Sequence, residues 1–113
     1  MNRRSKLPHK ILEAKLDALW AQRVKEYARG KCFHCGSIYQ VDAHHIIKRR
    51  YTATRWLLTN GMALCRDCHA KVEDKRLTIV CANQSTLEYL ARQVTPRTNE
   101  FMLQAWYALN GKV

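Results

Sequence analysis

The chain is poor in acidic residues, glycine and proline, and it lacks any long apolar run. Among 113 residues there are 4 Gly and 2 Pro, which excludes collagen-like and low-complexity architectures. No apolar stretch approaches the ~20 residues of a membrane-spanning helix. The N-terminal residues are basic, but a charged amphipathic segment follows them instead of the apolar core of a signal peptide. No internal repeat or Gly/Ser linker divides the sequence. A soluble, intracellular protein is expected, with one domain over 1–113. Nine Asp and Glu face 20 Lys and Arg, a net charge of +11. That excess points to a polyanionic partner, most often nucleic acid. It is uneven: residues 1–31 carry +6, 32–76 carry +4 and 77–113 carry +1.

Hydrophobic residues make up 47%, enough for a core. Residues 1–7 read as a basic arm. Leu12, Leu16, Leu19, Trp20, Val24 and Tyr27 recur at helical spacing, so a helix is predicted over 8–30, with Pro8 in its first turn and Gly30 as a left-handed cap. Tyr39–Ile47 reads as extended, with Met62–Leu64 as its partner strand. Asp67–Lys75 reads as a short helix. Ser85 and Glu88 form a capping-box pattern before a further helix, and Thr98 or Asn99 caps a last one. Pro96 separates those two. Residues 76–113 are thus a helical extension, more simply core padding than a docking surface.

Five cysteines are present. In a reducing cytosol paired spacings indicate metal rather than disulfides. Cys32-Phe-His-Cys35 and Cys65-Arg-Asp-Cys68 are two CxxC pairs separated by 29 residues. Each turn can place two thiolates on one tetrahedral zinc, and a small domain gains folding free energy from such a clip. His34 is a weaker substitute ligand. Cys81 has no partner and reads as a small buried residue.

Between the CxxC pairs lies Val41-Asp42-Ala43-His44-His45-Ile46-Ile47, then Asn60, and His69 directly follows Cys68. The steps from His45 to Asn60 to His69 are 15 and 9 residues. Set within the CxxC frame, this pattern resembles the HNH endonuclease family, in its four-cysteine, zinc-containing phage type. The matching stretch runs from about Lys31 to Asp74, under half of the chain. The resemblance implies an α+β fold: a ββα-metal core over 31–75 with a divalent ion between sheet and helix, clipped by the four-cysteine zinc site and flanked by helices. It implies a general base at His45, metal ligands at His44 and His69, and a loop-fixing role at Asn60 within the catalytic set. It also implies metal-dependent hydrolysis of DNA phosphodiesters, leaving 5′-phosphate and 3′-hydroxyl ends.

The residues support part of this on their own chemistry. Neighbours on a strand point to opposite faces, so His44 and His45 divide naturally between metal and water. A neutral imidazole can take a proton from water at pH 7. Glu73 lies one turn after His69 on the same helix face. As a third, oxygen ligand it favours Mg²⁺ or Mn²⁺; otherwise it is a solvated acid pairing with Lys71 or Lys75. Asp42 can orient a metal ligand or sit as a surface acid. Lys48, Arg49, Arg50 and Arg55 flank the motif and are expected on DNA phosphates, with little base-specific readout. Tyr51 can stack on a base, whereas Trp56 reads more readily as core. The DNA is expected to be double-stranded or branched, and the resemblance implies the cytoplasm of a bacterial or phage-infected cell as the setting. A further reading is a nuclease that acts only within a larger phage packaging or recombination assembly, with a protein partner there. The competing reading is a non-catalytic zinc-ribbon module that binds nucleic acid and recruits a partner; it has no need of His45 or His69.

Overall fold

A computed structural model describes residues 9–93 and 99–111. Five α-helices and two strands are found there: α1 His9–Tyr27, β1 Val41–His45, α2 Thr52–Arg55, β2 Gly61–Cys65, α3 Arg66–Glu73, α4 Gln84–Ala91 and α5 Asn99–Leu109. The result is a small α+β fold. No helix among these residues is long and apolar enough to cross a membrane. The basic arm, Pro8, Pro96 and Thr98 lie outside the described residues.

The strands pair antiparallel, with Val41 opposite Cys65, His44 opposite Met62 and His45 opposite Gly61. Side chains alternate across a two-stranded sheet, so it has two distinct faces. Ala43, His45, Gly61 and Ala63 face α1, while Asp42, His44, Met62 and Leu64 face α3.

Helix α1 buries Leu12, Leu16, Trp20 and Val24, each four residues on from the last, which keeps them on one stripe. This stripe packs with Trp56 and with Met102 and Leu109 of α5. Arg23 ties the same two helices at their ends, donating through Nε to Leu109 O at 2.9 Å. The C-terminal helix therefore serves as core, as its apolar spacing suggested. Tyr27 departs from the expected stripe and is 83% exposed, since the helix ends there. Gly30 follows with φ +71°, the left-handed conformation expected of it. Glycine is needed at 61 for another reason. A Cβ there would collide with Val24 Cγ2, so its absence lets α1 lie directly on the start of β2.

A second cluster, Met62 and Leu64 with Cys32, Cys65 and Cys68, lies on the other side with Val72, Leu77 and Ile79 around it. The expected capping box does not form. Helix α4 starts at Gln84, which leaves Ser85 inside its first turn, and Asn83 at the cap position donates to Thr59 O instead.

Candidate active site and cysteine centre

The Sγ atoms of Cys32, Cys35, Cys65 and Cys68 all lie within 4.8 Å of one another, and Cys35 and Cys65 are 3.6 Å apart. Four sulfurs at ~2.3 Å from one tetrahedral ion would be about 3.8 Å apart, so the cluster has the size of a zinc site. Local structure shapes it from both sides. Cys32 Sγ accepts the Cys35 N–H and Cys65 Sγ accepts the Cys68 N–H, each at 3.5 Å. Cys65 is at once the last residue of β2 and the N-cap of α3, so the clip joins the sheet to the helix. Burial opposes ionisation of Cys32, but backbone N–H donors at Cys35, Cys65 and His34 outweigh it and bring the thiol down to about 6. Burial, with the neighbouring sulfurs, pushes Cys68 up to about 12. Four thiolates repel one another unless a cation sits among them, which is consistent with structural zinc. His34 and Cys81 are not part of this cluster.

The second constellation lies on the α3 face of the sheet. His44 from β1 meets His69 and Glu73 from α3, with one ligand atom of each within 4.8 Å of the others. Glu73 Oε1 is 3.5 Å from His44 Nδ1 and 3.2 Å from His69 Nε2. Adjacent vertices of an octahedron with ~2.1 Å bonds lie about 3 Å apart, so these donors can share one divalent ion. The Glu73 carboxylate thus lies against both imidazoles, with its side chain largely exposed. Burial, then the charge of His69, lowers the His44 pKa below the usual imidazole value, although Glu73 opposes this. A neutral His44 keeps a lone pair free for a metal. Asp42 lies behind the triad, 3.9 Å from His69 Nδ1, near enough to bias the ring but beyond hydrogen-bond range.

His45 points the opposite way, onto α1. Its ring stacks on Trp20 at 3.8 Å between centroids and 12° between planes. Its Nε2 is 2.9 Å from Arg55 O. A carbonyl can only accept, so Nε2 carries the hydrogen and Nδ1 is the nitrogen left to take up a proton. Burial lowers the His45 pKa despite the Arg55 carbonyl, which keeps the ring neutral at pH 7. Trp20 is itself held by its Nε1–H on Leu57 O at 2.8 Å. Although they face opposite sides of the sheet, His44 and His45 line one cleft of about 550 Å³. It runs along the edge of β1 that β2 leaves unpaired and also takes in His69, Glu73, Lys48, Arg49 and Lys75.

Two of the expected site residues, Asn60 and Arg55, are held inside the fold. Asn60 is wholly buried and its amide is occupied by backbone: Oδ1 accepts from Ile47 N at 2.7 Å, and Nδ2 donates to Ile47 O and Thr54 O. It fixes the loop after β1, the role implied for it, and being wholly buried it supports the site without touching a substrate. Arg55 is also buried, and its guanidinium grips both carboxylate oxygens of Asp17 at 2.8 and 3.1 Å, with Glu13 3.6 Å away. Its charge is therefore neutralised within the fold instead of facing phosphates. Asp17 also accepts the Trp56 Nε1–H at 2.9 Å. Through Arg55, whose carbonyl holds His45, this α1 carboxylate braces the histidine. Asp17→Ala leaves the guanidinium with Glu13 alone and should cost about 3 kcal/mol of stability. The midpoint of urea unfolding measures this.

Of the remaining cations, Lys48 and Arg49 line the cleft, whereas Arg50 folds back over the Tyr51 ring at 5.0 Å. Trp56 is core. Three contributors were missed by sequence reasoning. Lys75, considered only as a partner for Glu73, lines the cleft from the end of α3. Trp20 and Asp17 reach the site from 25 and 28 residues before His45, a separation that no local pattern reveals. No family model, curated protein or solved structure matches the chain, so this site is what bears on its chemistry.

Proposed function

We propose that the chain is a divalent-metal-dependent DNA endonuclease, with β1, β2 and α3 as a ββα-metal core of the HNH kind. The observation that carries this reading is one cleft holding an oriented, neutral histidine, a His44–His69–Glu73 ligand set and three cations. The base position falls to His45, whose Nδ1 accepts a proton from the attacking water. Lys48, Arg49 and Lys75 hold phosphates on either side of the scissile bond. A divalent ion bound by the triad supplies charge neutralisation at the phosphate and the leaving oxygen. Two imidazoles beside one carboxylate favour Mn²⁺ over Mg²⁺. Electrostatic contacts to the backbone carry no base code, so cleavage has low sequence specificity.

Supercoiled plasmid incubated with the purified protein tests the proposal. Nicking in Mn²⁺ or Mg²⁺, abolished by EDTA, is expected. DNA binding without nicking under any of these ions would overturn the nuclease reading in favour of a zinc-ribbon binding module. The assignment of the cations has its own check. Alanine at Lys48, Arg49 and Lys75 together should lower the slope of log affinity against log salt by about 0.9 per lost phosphate contact. Alanine at Arg50 should change the slope less, because that side chain already lies on Tyr51.

A further inference from the structure

The α3 face of the sheet is only partly covered, because α3 spans two turns and ends at Glu73. The chain then reverses, with Arg76 N and Leu77 N both bonded to Lys71 O, and residues 77–81 return along the sheet. Between them a second cavity of about 580 Å³ remains open. Its floor is Met62 and Leu64, its aliphatic walls include Leu77 and Ile79, and its polar groups include Thr78 and Gln84. His44, Ile46, Val72 and Lys75 line this cavity and the catalytic cleft alike, so the two are continuous at the metal triad. Among the described residues no carboxylate lines it.

Building on the nuclease reading, we infer that this cavity is a subsite for an unpaired nucleobase next to the scissile phosphate. The chemistry is that of a nucleotide cut in two. An apolar slot takes the flat base, Thr78 and Gln84 offer hydrogen bonds to its edge, and Lys75 at the shared rim meets the attached phosphate. The cavity is several times larger than one base, so it also admits the sugar. A base stacked and paired in a duplex cannot enter. The favoured substrate is therefore DNA that presents an unpaired nucleotide beside the cut, as at a bulge, a mismatch or a branch.

Two labelled duplexes of the same sequence test this, one fully paired and one carrying a single-nucleotide bulge, incubated with the full chain in Mn²⁺. Wild type should cut beside the bulge at least ~10-fold faster than the paired duplex. Thr78→Trp fills the slot from an exposed position, and Gln84→Ala removes an edge contact. In Thr78→Trp the ratio of the two rates should fall toward one, and in Gln84→Ala it should fall part of the way. Equal cutting of the two duplexes by wild type, or an unchanged ratio in both variants, overturns the subsite and leaves the nuclease reading standing. Failure to cut any DNA overturns the nuclease reading and the subsite with it.

Discussion

Replacing His45 by alanine is expected to lower the rate of DNA cleavage by ~10²–10⁴-fold while leaving DNA affinity close to wild type. A general base acts in the transition state and adds little to ground-state binding. The substitution also removes the stack on Trp20 and the hydrogen bond to Arg55 O, each about 1 kcal/mol, so the thermal transition of the variant is compared with wild type. His69→Ala should behave differently. It removes one donor of the triad, so occupancy of the ion falls by mass action and excess Mn²⁺ restores part of the activity. Excess Mn²⁺ does nothing for His45→Ala. Initial nicking rates across a Mn²⁺ titration separate the two. Equal rates for wild type and His45→Ala at saturating metal would remove His45 from the base position.

Cys65→Ser should be the most damaging single change to the fold. Cys65 is buried, ends β2, caps α3 and faces Cys35 across the cysteine centre. Zinc sites of this kind contribute roughly 10 kcal/mol or more to the folding of small domains, comparable with the whole stability of an average one. The variant is expected to lose its zinc and its cooperative thermal transition, and to aggregate. Wild-type protein should carry one zinc per chain by elemental analysis, with a melting temperature that falls on chelation. A folded, soluble wild type free of zinc would exclude the structural-zinc reading. Because α3 also carries His69 and Glu73, a zinc-selective chelator used in excess Mn²⁺ should abolish nicking in step with unfolding.

Local signals in the chain were enough for several elements. The four-residue recurrence of Leu12, Leu16, Trp20 and Val24 specifies α1, and Gly30 its end, because these depend on helix periodicity and on one backbone conformation. The CxxC pairs define the cysteine centre, since each pair is local and four thiols of this spacing have few other uses in a small domain. The spacing of His44 and His69 singled out two side chains that the fold brings together. The alternation of a strand already separated His44 from His45.

Other features depended on groups distant in sequence. Arg55 looked like one more cation in a basic loop, and only the approach of α1 brings Asp17 beneath it and buries the pair. The loop-fixing role of Asn60 was expected, but its partners, the backbone of 47 and 54, were not readable from the sequence. The neighbours of Glu73 were not legible beyond its own helix, and the approach of β1 brings His44 beside it. The hydrogen on His45 Nε2 is set by a carbonyl ten residues away, and the plane of its ring by a tryptophan stacked from another helix. Periodicity and spacing determine which residues share a helix face or a turn, because those contacts span a few residues. Whether a charge is buried, shared or open to a substrate depends on what packs over it, and here α1, α3 and the 77–81 return decide that.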